Sequence, residues 1–172
     1  WWDAKTARGR PFYYFAYGAA VSEVVVDLLT GENRVVAVDI LHDVGRSLNP
    51  AVDAGQIEGG FIQGMGWLTT EEVWWDSDGR LMTHAPSTYK IPVCSDRPTH
   101  FRLDMYTASK NVEATVYRSK AVGEPPLMLA LSVHQAIADA ISSTSDHAEL
   151  PQLRTPATPE AVLDAIQSLR QS

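Results

Sequence analysis

Residues 49–68, which read NPAVDAGQIEGGFIQGMGWL, decide the fold because they predict one long helix. Asn49 is a favourable N-cap, proline suits the first helical position, and Asp53 lies near the positive end of the helix dipole. The helix is predicted to run from Pro50 to about Leu68. Each glycine inside a helix costs about 1 kcal/mol relative to alanine. A structural or functional reason is therefore needed for Gly55, Gly59, Gly60, Gly64 and Gly66.

One face of this helix combines amide side chains with bare backbone. Gln56 and Gln63 share a face, and Gly59 and Gly60 lie between them. Glutamine offers both hydrogen-bond donors and acceptors, so this face could accept a planar polar heterocycle or another stretch of backbone. The alternative is close helix packing through small residues, with both glutamines solvated. The glycines fit no dinucleotide-binding fingerprint, because that motif needs a glycine turn after a strand.

A second candidate site lies in residues 120–126, which read KAVGEPP. Glu124 precedes two prolines that open a second helix, predicted to reach about Ile141. A residue before proline is biased towards extended backbone, so we expect an extended Glu124 held at a rigid point. A carboxylate held in this way suits a general base. The alternative is that Glu124 caps the helix or pairs with Lys120 or Arg118.

The rest of the chain predicts strands and helices in mixed order, and hence an α+β fold. Residues 13–29 and Val35–Leu41 flank a turn signal at residues 30–33 and predict a β-hairpin. β-hairpins are therefore expected to pack with the glycine-rich helix and the second long helix. The remaining predicted elements are a hairpin over 73–83, a loop over 85–98, strands over 101–106 and 114–118, a linker over 142–157 and a helix from residue 158.

The composition of the 172 residues is that of an ordinary globular protein, with 45% apolar and 20% charged residues. Such a mixture excludes intrinsic disorder, and no stretch approaches the roughly 20 apolar residues of a membrane-spanning helix. A formal net charge of −7 argues against a nucleic-acid partner. Cys94 is the only cysteine, which excludes an intrachain disulfide and a cysteine-rich metal site, and agrees with a reducing cytoplasm.

The first residues predict a segment of a longer polypeptide. The chain begins at Trp1-Trp2 without methionine, and two adjacent tryptophans at a free terminus would form an exposed apolar patch. We expect these two residues, with Trp74 and Trp75, to lie on surface that faces the remainder of such a polypeptide.

Three motifs closely resemble the C-terminal part of the molybdenum-binding subunit in the xanthine dehydrogenase and aldehyde oxidase family of molybdenum hydroxylases. They are residues 45–66 (GRSLNPAVDAGQIEGGFIQGMG), 86–92 (PSTYKIP) and 119–126 (SKAVGEPP). Residues 13–30 and 158–160 also fit, so the resemblance extends over nearly the whole chain. The second and third motifs together point to the xanthine dehydrogenase branch. The resemblance implies that residues 1–172 are a C-terminal segment of a larger molybdopterin-binding domain.

The resemblance implies roles for four residues. Glu124 matches the family's general base, and Gln56 matches the glutamine that hydrogen-bonds the molybdopterin. Gly123 lies where family members bring main chain up to the molybdenum centre, and Gln63 is given a supporting role on the face of Gln56. The implied reaction is oxidative hydroxylation of purines, from hypoxanthine to xanthine to urate. Aldehydes or other N-heterocycles are the alternative substrates, and a non-catalytic, stand-alone binding module is the alternative from another class.

The implied cofactor is molybdenum-molybdopterin. The full enzyme would also contain 2Fe–2S clusters and FAD, with NAD as electron acceptor, and this segment would bind none of these three. Its implied partners are the purine substrate, the remainder of the molybdenum subunit, and the iron–sulfur and flavin subunit or domains. The side chains of this segment would hold no metal themselves. The implied setting is cytoplasmic purine catabolism. Because the segment alone cannot enclose the cofactor, we expect it to be inactive in isolation.

Overall fold

The computed structural model describes residues 2–108 and 110–171 of the chain. Within these ranges the strands are β1 (Trp2–Asp3), β2 (Arg8–Gly9), β3 (Gly18–Val26), β4 (Asn33–His42) and β5 (His100–Met105). The α-helices are α1 (Pro50–Thr69), α2 (Leu131–Ser142) and α3 (Pro159–Gln171). The predicted α+β fold is confirmed. None of the described helices is long and apolar enough to cross a bilayer.

The main sheet has three strands in the order β3-β4-β5 within the described residues. β3 and β4 form the predicted hairpin, with an antiparallel register from Gly18 opposite His42 to Val26 opposite Asn33. β5 pairs with the other edge of β4 in parallel, which the sequence pattern did not predict. β1 and β2 pair with each other in a separate two-residue ribbon.

The hydrophobic core lies between one face of this sheet and the helices. The Phe61 ring of α1 meets the Phe101 ring of β5 edge-on, with centroids 5.5 Å apart. Apolar residues at helical spacing on α1 and α2 and on one face of β4 supply the core. Its buried members from these elements include Val35, Val38, Ile40, Ile57, Phe61, Met65, Leu68, Val133, Ile137 and Ile141.

Helix α1 begins and ends within one residue of its predicted bounds. The Asn49 side chain accepts a hydrogen bond from the Val52 backbone N–H at 3.3 Å, as expected of an N-cap. The Asp53 carboxylate accepts a hydrogen bond from the Ser47 hydroxyl at 2.5 Å, which fixes the chain entering the helix. These local contacts fix where α1 begins.

The predicted strand over residues 114–118 is wrong. Val116–Arg118 form a single 3₁₀ turn, and Tyr117 and Arg118 have left-handed backbone angles, with φ of 52° and 62°. The reason is a competing set of local bonds, because the Arg118 N–H donates to the Thr115 carbonyl at 3.1 Å and the Ser119 N–H to the Val116 carbonyl at 3.0 Å. These turn bonds within the segment take the place of a strand ladder.

The other predicted segments follow the sequence pattern more loosely. The hairpin over 73–83 is reduced to one bridge between Trp75 and Leu81, and residues 85–98 form a loop with a 3₁₀ turn at Cys94–Asp96. The linker over 142–157 is irregular apart from the 3₁₀ turn Ser143–Ser145. Trp2, Trp74 and Trp75 are each about half exposed, whereas Trp1 lies outside the described residues.

His42, at the end of β4, makes stability depend on pH. Its ring is buried, and burial lowers its pKa from the ordinary value, against the opposing charge of Asp43. The unfolded chain takes up this proton first, so the stability present above about pH 6.5 is lost as pH falls through that value towards the folded pKa. We expect the free energy of unfolding to fall between pH 7.5 and pH 5, and to fall less in His42→Leu. His100→Leu, which removes an exposed histidine, is the matched control in the denaturant titrations that measure this.

Candidate functional site

Glu124 lies where a 3₁₀ segment, Pro125–Ala130, begins and then continues directly into α2. The predicted second helix is therefore present, with its first turns wound more tightly. The prediction of an extended Glu124 is wrong, because its φ of −95° and ψ of −39° are helical. The Glu124 carbonyl accepts a hydrogen bond from the Leu127 N–H at 3.1 Å, and this first bond of the 3₁₀ turn outweighs the bias of a residue before proline.

The Glu124 carboxyl group is exposed and makes no side-chain cap bond to the turn that it opens. Lys120 pairs instead with Asp43, and the Arg118 guanidinium donates to the Val112 carbonyl. The two structural alternatives for Glu124, a cap or an ion pair, are thus not found among the described residues. Its carboxylate remains available at the surface.

The 3₁₀ segment packs closely on α1 through two of the helix glycines. A Cβ added to Gly64 would lie 2.3 Å from the Leu127 carbonyl oxygen, and one added to Gly60 would lie 3.1 Å from Pro126 Cβ. Real Cβ atoms do not tolerate the first of these distances, so Gly64 is required by packing. The glycine-rich character of α1 therefore has a structural cause over its second half.

Helix α1 also has an open side. A Cβ added to Gly55 or Gly59 would meet nothing within 4 Å, and the Gln56 and Gln63 side chains are exposed. The predicted face of two glutamines and two glycines is corrected in one respect, because Gly60 belongs to the packed side. Bare backbone beside an amide side chain is nevertheless present around Gln56.

Gln56 and the loop before Glu124 meet at one corner of the molecule. A Cβ added to Gly123 would lie 3.8 Å from Gln56 Oε1, which is ordinary van der Waals distance. The fold thus brings together three of the four predicted site residues, from α1 and from the segment before α2. Gln63 lies two helical turns further along α1, and no described hydrogen bond ties it to this corner.

Two residues of this region were missed by sequence reasoning. Asp43 and Lys120 form an ion pair with Nζ and Oδ2 2.6 Å apart, and their side chains are only 7% and 8% exposed. The available signal was weak: each charged residue is followed directly by an apolar one, since Asp43 precedes Val44 and Lys120 precedes Ala121-Val122. Lys120 was considered only as a partner of Glu124.

The chemistry of the corner suits a heterocyclic cofactor with mixed hydrogen-bonding edges. It offers an amide that both donates and accepts, exposed main chain at Gly55 and Gly59, and a carboxylate at Glu124. A pterin presents ring nitrogens, an amino group and a carbonyl to such groups, so the residues present fit molybdopterin. Among the described residues, no group of three or more His, Cys, Asp or Glu side chains is placed to hold a metal ion directly.

Comparisons with known proteins agree with this fit. Residues 1–98 match the model of the molybdopterin cofactor-binding domain family. The chain is 47% identical over 167 residues to xanthine dehydrogenase/oxidase of Gallus gallus, covering 95% of this chain and 12% of that protein. It is 46% identical over 163 residues to aldehyde oxidase 1 of Cavia porcellus, covering 93% of this chain and 12% of that protein. The chain thus spans about an eighth of the length of these relatives.

Solved structures give the same result. The aldehyde oxidoreductase of Desulfovibrio gigas superposes with a TM-score of 0.74 at 30% identity, over 96% of this chain and 17% of that chain. The chain belongs to the molybdopterin cofactor-binding domain family, within the xanthine dehydrogenase and aldehyde oxidase group of molybdenum hydroxylases.

Proposed function

We propose that this chain contributes the general base and part of the molybdopterin-binding wall to the oxidative hydroxylation of purines, from hypoxanthine to xanthine to urate. Residues 1–172 would form a C-terminal segment of a larger molybdopterin-binding domain. In this assignment Glu124 is the base, Gln56 hydrogen-bonds the pterin, Gly123 brings main chain to the metal centre, and Gln63 supports the wall.

The observation that carries the proposal is the corner at which Gln56 Oε1 approaches Gly123, the residue before Glu124. An amide that can hold a pterin edge thereby lies beside the residue that precedes the candidate base in the chain. The carboxylate is exposed and has no other described partner, so it is free to act on a substrate brought to it. The bound cofactor would supply the redox centre, and Glu124 would accept the proton released during hydroxylation.

Aldehydes or other N-heterocycles are the alternative substrates, since aldehyde oxidase 1 of Cavia porcellus is almost as similar as the xanthine dehydrogenases. Glu124 would serve as base for either substrate class. Purine preference is favoured by the PSTYKIP motif at residues 86–92 together with the GEPP motif at residues 123–126. Comparing kcat/KM of the complete enzyme for hypoxanthine and for an aromatic aldehyde decides between them.

The wider assembly follows from the same proposal. The remainder of the molybdenum subunit would close the cofactor site, and 2Fe–2S and FAD domains would carry electrons to NAD in the cytoplasm. The chain on its own would be inactive, because α1 and the segment before Glu124 would form only one side of the site. Urate formation by the isolated chain supplied with molybdopterin would contradict this.

The cofactor wall is tested by Gln56→Ala in the complete enzyme. One hydrogen bond contributes about 1 kcal/mol, so we expect cofactor affinity to fall by about threefold to tenfold. The readout is molybdenum per polypeptide after challenge with a chelator. Gln167→Ala, which removes an exposed glutamine from α3, should leave the molybdenum content unchanged, and Gln63→Ala should lower it less than Gln56→Ala. Unchanged molybdenum in Gln56→Ala would remove Gln56 from the wall.

The general-base role is tested by Glu124→Gln in the complete enzyme, because this change removes the proton acceptor and keeps the shape of the side chain. A loss of turnover with retained substrate binding supports the proposal.

A further inference from the structure

The segment before Glu124 is tied to the loop that follows β4. The Lys120 N–H donates to the Val44 carbonyl at 2.8 Å, and the Arg46 N–H donates to the Arg118 carbonyl at 3.1 Å. Between these two bonds the two backbone segments run so close that a Cβ on Gly45 would lie 2.5 Å from the Arg118 carbonyl oxygen. Gly45 also has a φ of +63°. The approach of the two backbones therefore requires glycine at this position.

A buried ion pair lies at the centre of this junction. Lys120 Nζ lies 2.6 Å from Asp43 Oδ2, and Asp43 Oδ1 accepts the Gly45 N–H at 2.8 Å. Among the ion pairs of the described residues, it alone has both side chains buried. A buried pair adds little net stability, because desolvation of the two charges offsets their attraction. Its effect is instead to fix one geometry, since any displacement leaves a buried charge unpaired.

Two aromatic residues complete the junction. The Tyr14 hydroxyl oxygen accepts a hydrogen bond from the Ala121 N–H at 2.9 Å, and the Lys120 ammonium lies 5.1 Å from the centroid of the Tyr17 ring. The chain is thus held at two successive residues, Lys120 and Ala121, which lie four and three positions before Glu124. On the other side of Glu124, the buried Pro126 packs against Gly60 of α1.

We propose that Asp43 and Lys120 are positioning residues, which set the place of the Glu124 carboxylate relative to the Gln56 amide. This inference rests on the proposed function. Glu124 makes no side-chain bond of its own to the turn that it opens, so its position is decided by these two anchors of the backbone. Loosening the contacts of Lys120 and Ala121 moves the Glu124 carboxylate. The packing of Pro126 on Gly60 and the position of α2 are then unchanged.

Three variants of the complete enzyme test the inference: Asp43→Asn, Lys120→Met and the double variant Asp43→Asn/Lys120→Met. The single variants leave one buried charge unpaired and lower the melting temperature. The double variant contains no unpaired charge, so its melting temperature and molybdenum content should return close to those of the wild type. Its kcat should still be about tenfold lower with KM within about twofold, since misplacement of a reacting group lowers the rate rather than the binding.

Hydrogen exchange provides a readout that does not depend on turnover. Exchange of the Lys120 and Ala121 amides should be faster in the double variant, whereas exchange in α2 should be unchanged. Asp164→Asn is the matched control, because Asp164 pairs with Arg154 at the same 2.6 Å but with both side chains more than half exposed. This control should change neither exchange at residues 120–121 nor kcat.

The outcomes separate the inference from the proposed function. Wild-type kcat in the double variant, or unchanged exchange at Lys120 and Ala121, overturns the positioning role and leaves Glu124 as the base. Near-normal turnover in Glu124→Gln overturns the proposed function, and the positioning role with it. A loss in Glu124→Gln, together with a tenfold loss at constant KM in the double variant, supports both.

Discussion

Glu124→Gln in the complete enzyme is expected to lower kcat by at least about 100-fold, because general-base catalysis contributes about 10² to 10⁴ in rate. Substrate binding should be largely kept, since glutamine has nearly the same size and the surrounding fold is unchanged. Steady-state kinetics with a purine would show this as a loss in kcat with a KM close to that of the wild type. The cofactor content should also stay constant, because the pterin is assigned to Gln56.

A matched control for this substitution is Glu160→Gln in the first turn of α3, which removes another exposed carboxylate from a helix start. Its kcat should equal that of the wild type, with at most a small loss of stability from the helix dipole. Near-normal turnover in Glu124→Gln would reduce Glu124 to an ordinary surface residue. A loss of molybdenum in that variant would instead assign Glu124 a part in holding the cofactor.

Gly64→Ala is expected to destabilise the chain strongly. The new methyl group would lie 2.3 Å from the Leu127 carbonyl oxygen and 2.8 Å from the Ala130 Cβ. Overpacking of this kind costs about 1–3 kcal/mol, and contact with backbone rather than a flexible side chain places the cost at the upper end. Thermal unfolding should show a melting temperature lowered by several degrees.

The matched control for Gly64→Ala is Gly59→Ala on the open side of the same helix. The added methyl group meets nothing within 4 Å there, so helix propensity should stabilise the chain by about 1 kcal/mol. Opposite signs for the two variants are expected from the division of α1 into a packed side and an open side. If Gly59→Ala destabilised the chain as much as Gly64→Ala does, the side of α1 that carries Gly59 would also be packed against other residues.

Much of the fold follows from local sequence signals. Asn49, Pro50 and Asp53 mark the start of α1, and strand character on both sides of the turn at residues 30–33 predicts the β3–β4 hairpin. These elements were predictable because their caps, turns and apolar periodicity lie within a few residues of one another.

The errors all involve contacts between residues distant in sequence or polar contacts of the backbone. β5 reads as a strand, but nothing near it indicates a parallel partner in β4. Residues 114–118 have strand-like alternation, yet the Arg118 N–H bonds to the Thr115 carbonyl and closes a 3₁₀ turn there. Glu124 is helical because Leu127 bonds to its carbonyl, which a rule about the residue before proline does not consider.

The candidate site was only partly predictable for the same reason. The sequence motifs identified Gln56, Gly123 and Glu124, and the fold places Gln56 against Gly123, but the catalytic roles stay predictions. The distinction between Gly59 and Gly60 depends on where Pro126 packs, and the Asp43–Lys120 pair joins residues on separate elements. Neither feature leaves a periodic signal in the sequence.

The parallel pairing of β4 with β5 has a consequence for synthesis of the protein on the ribosome. β4 is complete at His42, whereas its second partner begins only at His100. A growing chain therefore presents one free strand edge while all of α1 and the following loop are translated. Such an edge can join a strand of another nascent chain, so crowded polysomes and slow translation between these two points are expected to increase misassembly.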